Sequence, residues 1–115
     1  MLTDNAIQAL FFEDPEPIEE LRKNFPIVAS HMNDWSQHNS GIQQFALWTA
    51  LETEGLGASL QHYNPLVDIK AQEKWNIPVD WSLRAQLVFG GKAGEAGDKE
   101  FKPVQERLFV HGAKQ

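Results

Sequence analysis

Residues 90–99, GGKAGEAGDK, gather glycines and lysines as a phosphate-binding loop does. A nucleoside-triphosphate loop needs G-x-x-x-x-G-K-[ST], so that backbone N–H groups, a lysine and a hydroxyl converge on the phosphates and their metal. Here Asp98 separates Gly97 from Lys99 and no hydroxyl follows, so that chemistry is set aside. The four histidines, His31, His38, His62 and His111, have no metal-ligand spacing with carboxylates, which argues against a metal site. No serine stands in a G-x-S-x-G turn. Glu13, Asp14, Glu16, Glu19 and Glu20 crowd acidic charge together, but a solvated first helical turn explains them through the helix dipole better than a catalytic carboxylate pair does. By type and spacing alone, neither the polar run Gln61-His62-Tyr63-Asn64-Pro65 nor Lys99 in the C-terminal tail points to a particular chemistry. A lone histidine in a turn and an exposed lysine are ordinarily unremarkable, and no catalytic residue is assigned.

The elements that must position these groups follow from hydrophobic spacing. Residues 6–12 read as a mostly apolar strand that ends at Glu13-Asp14-Pro15. Asp14 can cap a helix with Pro15 and Pro17 in its first turn, and Ile18, Leu21 and Phe25 give that helix its inner side. Pro26 interrupts it, and residues 27–35 form a second helical piece. A helix over 41–54 is capped by Asn39 or Ser40. Ile42, Phe45, Ala46, Thr49, Ala50 and Thr53 make one of its faces, and Leu47, Trp48 and Leu51 make a second apolar surface. A helix that is apolar most of the way round is buried on several sides, either as a central core helix or partly by a second subunit. Gly55 and Gly57 suit a left-handed C-terminal stop. Residues 58–61 are a short strand, 65–75 a helix with Leu66 and Ile69 inward, and 81–89 a strand by its alternation. Residues 90–98 carry four glycines and read as a mobile loop, and the apolar patches of 101–110 are expected to dock on a surface.

Bulk composition bounds the class. At 115 residues the chain fits one domain with an ordinary core. A net charge of −6, with 16 acidic and 10 basic residues and no basic cluster, argues against a nucleic-acid partner. The absence of cysteine excludes disulfides and thiolate-bound zinc or iron–sulfur centres. No apolar run approaches the ~20 residues of a spanning helix, and no secretory signal is apparent. These traits imply, by default, a soluble cytoplasmic protein.

The stretch GLGASLQHYNP, within the helix–strand–turn order of residues 35–68, resembles the flavin nitroreductases of the fatty-acid-repression type. A second match, K-x-F-x-P-x-x-E-R at Lys99, Phe101, Pro103, Glu106 and Arg107, is similar to that family's C-terminal signature. The resemblance covers nearly the whole chain, from Ala9 to Gly112. It implies an α+β fold with an antiparallel-rich sheet and a central buried helix, packed in a homodimer. It implies FMN as cofactor, with Leu60, Gln61 and His62 beside the isoalloxazine ring and Lys99 at the ribityl phosphate. A compact cation with three donors suits a dianionic group. The implied activity passes hydride from NAD(P)H through FMN to nitroaromatic or quinone acceptors. The protein orients the flavin and tunes its electronics.

The same resemblance implies that residues 1–115 form a partial nitroreductase-like domain, the C-terminal half of the fold. The family's N-terminal flavin-binding half, with the arginines that hold the FMN phosphate and ring, is expected to be absent. Either a complementary N-terminal half comes from another polypeptide, or the chain is a truncated, non-catalytic remnant or dimerisation module.

Overall fold

Three segments of the computed structural model, which describes residues 6–113, form one antiparallel sheet. The strands are β1 (Ile7–Glu13), β2 (Leu56–Gln61) and β3 (Ser82–Gly91), in the order β1-β3-β2. Between β1 and β2 lie helix α1 (Pro15–Asn24), a 3-10 segment Pro26–His31 and the long helix α2 (Met32–Thr53). Helix α3 (Asp68–Trp75) joins β2 to β3, and a single 3-10 turn, Val104–Glu106, interrupts the otherwise irregular tail. The α+β class and all three expected strands are present, with bounds differing by one or two residues.

The central strand holds the core. Leu83, Ala85, Gln86 and Leu87 are buried, and the other fully or nearly buried apolar side chains are Met32 and Ala71. Register fixes the faces, because directly paired residues of an antiparallel sheet project to the same side. Ala9, Leu87 and Leu60 form one cross-strand row, and Leu10, Gln86 and Gln61 form the next, on the opposite face. Between Phe11 and Phe12 the partner on β3 jumps from Ala85 to Leu83, leaving Arg84 as the extra residue of a bulge.

Helix starts and stops follow their local chemistry. Asp14 is the N-cap of α1 and accepts a hydrogen bond from the Glu16 N–H at 3.0 Å, with proline in the first turn as expected. Gly55 ends α2 at φ +80°, the left-handed conformation that glycine adopts without a Cβ clash. Gly57 does not share that role; it lies in β2, paired with Gly90. Gly90 and Gly91 belong to β3, so only the remainder of the 90–98 segment is irregular.

Helix α2 corrects the sequence reading in two respects. It is continuous over 22 residues, and Asn39 and Ser40 sit in its interior instead of capping it. The Ser40 hydroxyl accepts a bond from the Gln44 amide one turn on. Nor is the helix buried within this chain. The half-buried positions Ser36, Ser40, Gln44, Leu47 and Leu51 recur every three or four residues and face the sheet. The apolar face of Ile42, Phe45, Ala46, Thr49 and Ala50 points away and is exposed. Of the smaller expected surface, the sheet half-covers Leu47 and Leu51 but leaves Trp48 exposed. Similar corrections apply to Leu21 and Phe25 of the first helical region and to Leu66 and Ile69 near α3, all of them exposed where an inward position was expected. The tail is also uncovered: Phe101, Leu108, Phe109 and Val110 are exposed.

Candidate functional site

The motif GLGASLQHYNP begins at Gly55, just past the end of α2, and takes in the whole of β2 and the turn beyond it. β2 is an edge strand, paired on one side only. Because successive residues of a strand project to opposite faces, Leu60 lies on the α2 side and Gln61 on the other. Both are half-buried, while His62, the first residue past the strand, is exposed. These three sequence-assigned residues are therefore contiguous at one strand end, but Leu60 and Gln61 present different sides of the sheet.

The turn is held by side chains that sequence reasoning did not single out. Gln86 is 1% exposed on the central strand. Its Oε1 accepts the Tyr63 N–H at 2.7 Å, and its Nε2 donates to Asn64 Oδ1 at 3.3 Å. Asn64 Nδ2 in turn donates to the Leu83 carbonyl at 2.7 Å and to Asp68 Oδ1 at 2.9 Å. The far end of α3 is tied down similarly, by Gln72 Nε2 donating to the Trp81 carbonyl at 2.8 Å. The available signal was Gln86 itself, an uncharged polar residue between Ala85 and the apolar run Leu87–Phe89, where burial requires a hydrogen-bond partner.

Lys99 lies in the irregular segment after β3. Its Nζ stands 5.5 Å from the centroid of the Phe101 ring, a cation–π distance within its own motif. It makes no ion pair among the described residues, and no hydrogen bond there joins it to Leu60, Gln61 or His62. The start of this segment is anchored to α2 through Lys92, which donates to Glu52 Oε1 at 2.8 Å; that bond draws the ammonium above its ordinary value.

A second polar cluster joins β1, β3 and α2. Glu13 Oε1 accepts from Arg84 Nη2 at 3.0 Å, and Oε2 accepts from Ser36 Oγ at 2.9 Å and Gln37 Nε2 at 3.1 Å. Burial alone would raise the Glu13 carboxyl, but the bonds from Arg84 and Ser36 and the positive charges of Arg84 and Arg22 prevail and hold it below 4.5. The bulge on β3 at Arg84 sets the geometry of this pair, and the Arg84 Nε is buried without a partner among the described residues. On the other side of the molecule, a cavity of about 620 Å³ separates α3 from β1, lined by Gln8, Leu10, Ala71 and Trp75 with Lys70 and Lys74. No group of three metal-ligating side chains occurs among the described residues, and no helix there is long and apolar enough to cross a membrane.

The chain is similar to known proteins over most of its length. No family model matches the chain. HBN1 of Saccharomyces cerevisiae, a protein named as a nitroreductase, is 42% identical over 100 residues, covering 87% of this chain and 51% of the relative. The nitroreductase FRM2 of the same yeast is 40% identical over 92 residues, covering 80% and 47%. Among solved structures, nitroreductase CinD from Lactococcus lactis in complex with chloramphenicol superposes with a TM-score of 0.86 at 44% identity, covering 90% of this chain and 55% of that one. Over these matched residues the chain belongs to the nitroreductase family. It spans about half the length of the curated relatives it matches.

Proposed function

We propose that this chain supplies one part of an FMN-dependent nitroreductase and that the rest of the flavin site comes from residues outside the matched segment. The observation that carries this reading is the β2-to-turn unit, in which the family motif ends an edge strand and is pinned to the central strand by Gln86. Its donor set suits a flavin. The edge of β2, the Gln61 amide and the His62 imidazole offer hydrogen-bonding groups for the ring's polar rim, and Lys99 offers a cation for a phosphate. Leu60, on the opposite face from Gln61, would meet the ring only where it crosses the strand end. Bound FMN would supply the chemistry, accepting hydride from NAD(P)H and delivering electrons to a nitroaromatic or quinone. The chain's own residues bind and orient the flavin, and none is assigned a proton-transfer role. Homodimerisation and a cytoplasmic setting are part of the same proposal.

The test is reconstitution. The full chain co-expressed with the segment of the Lactococcus lactis relative outside the match should purify yellow, with a flavin absorbance band that survives gel filtration. It should then oxidise NAD(P)H in the presence of a nitroaromatic. The chain purified by itself should hold no flavin. A colourless reconstituted complex would reject the proposal.

A second reading is an association module without flavin. The exposed apolar face of α2 favours it, with Ile42 67% and Phe45 70% exposed. A stable but colourless and inactive complex would support this alternative.

A further inference from the structure

We infer that Gln86 is a positioning residue that fixes the turn after β2 in one conformation and thereby sets where Gln61 and His62 can meet a ligand. This inference rests on the flavin reading given above for its consequence, but not for its geometry. Gln86 lies in the middle of the central strand, where Leu10 and Gln61 flank it across the sheet. The strand ladder is built from backbone groups, so the sheet itself has no need of the Gln86 amide. A leucine there would bury apolar surface without the cost of desolvating an amide. That amide is committed instead to the turn, accepting the Tyr63 N–H at 2.7 Å and donating to Asn64 Oδ1 at 3.3 Å.

Asn64 extends the link, because its own amide reaches both the Leu83 carbonyl and Asp68 at the start of α3. Two consecutive residues of the turn are thus bonded to one side chain that cannot move, since it is 1% exposed inside packed strands. His62 sits between Gln61, which is fixed by pairing with Gln86, and Tyr63, which is fixed by the Gln86 side chain. The backbone on both sides of the exposed His62 is thus held in place. Networks of this kind specify one conformation when every member is satisfied, and release it when one member is removed.

The experiment compares Gln86→Leu, and Gln86→Met as a longer apolar replacement, with the wild-type full chain by amide hydrogen exchange. Loss of the acceptor should lower Tyr63 protection at least about tenfold while Ala85 and Leu87 remain protected. Gln86→Glu keeps an acceptor for the Tyr63 N–H but loses the donor to Asn64, so Tyr63 should be better protected than in either apolar variant. If the leucine variant loses protection throughout β3, the methionine variant decides in its place. In the complex reconstituted with the relative's remaining segment, the apolar variants should weaken FMN and riboflavin alike, by at least about fivefold each. Unchanged Tyr63 protection in the apolar variants would overturn the inference. So would released Tyr63 with flavin affinity intact. A wild-type complex that takes up no flavin would reject the functional reading and the flavin consequence drawn here, and the Tyr63 comparison would still decide the lock.

Discussion

Two residues carry the clearest consequences at the finest scale, Lys99 and Glu13. Lys99 is proposed to meet a phosphate, so its loss should discriminate between ligands that differ only in that group. In the reconstituted complex, Lys99→Ala should weaken FMN about tenfold or more through the lost charge-assisted bond, while riboflavin binds almost unchanged. Equal losses for both would place Lys99 away from the phosphate. This signature is the opposite of that expected for Gln86, where both flavins lose together. Glu13 makes a prediction about stability that needs no ligand. Its carboxyl is held below 4.5 by bonds from Arg84 and Ser36 that outweigh its burial. A lowered folded value means that the ionised form stabilises the fold above the unfolded value and ceases to do so as pH falls through the folded one. Arg84 is partly solvent-screened, so Glu13→Gln should cost about 1–2 kcal/mol at pH 7 in urea unfolding. The gap between variant and wild type should close as the pH is lowered beneath 4.5. A gap that persists unchanged in acid would show that the ion pair is not its source.

At the scale of elements, the strands were legible because a period of two over 81–89 has no good helical reading. The first helix was legible because Asp14 and two prolines mark its start. What the sequence hid was continuity. Pro26 does interrupt the helical region, as expected, but the polar run Ser36–Ser40 read as the start of a new helix, and α2 runs through it from Met32. Serines and asparagine are tolerated there because α2 lays Ser36 and Ser40 toward the sheet, where Ser36 finds Glu13 and Ser40 finds Gln44. The site was only half legible for a related reason. A motif names the residues at a strand end, but the side chain that holds the turn comes from a strand about 20 residues away, and only the sheet register brings it there. The continuity of α2 changes one expected effect and leaves a second prediction standing. Asn39→Ala would cost about 1 kcal/mol if Asn39 were a cap; in the helix interior it should be neutral or slightly stabilising. Gly41→Ala should stabilise by about 0.5–1 kcal/mol, since a Cβ there meets nothing within 4 Å. Thermal unfolding of the two variants checks both, and a clear loss for Asn39→Ala would restore the capped start. Trp48, expected to be a buried core indole, is 36% exposed, so its truncation should fall well short of the 3–5 kcal/mol of a fully buried aromatic.

For the whole molecule, the decisive quantity is surface left uncovered. The chain exposes 9455 Å² where a folded monomer of this size exposes about 6,300 Å². Its Cα radius of gyration is 18.6 Å, against about 13 Å for a compact domain of 115 residues. An excess of about 3,000 Å² is the scale of an obligate interface, and soluble monomers rarely keep contiguous apolar patches beyond a few hundred Å². Besides the tail, uncovered apolar surface lies on the outer face of α2 and on the α3–β1 side, where Ile7 and Trp75 are exposed at the cavity and Ile69 is exposed on α3. The sheet stands between these two surfaces. If α2 is the face through which copies of this chain meet, a charge on its outward side should separate them, whereas the same change on α3 should not. Light scattering at about micromolar concentration should show wild type and Ile69→Lys as assemblies of the same mass and Phe45→Lys as a monomer. Equal dissociation by both substitutions would mean that the two surfaces are occupied in one continuous assembly. Retention of the assembly by Phe45→Lys alone would move the self-contact to α3.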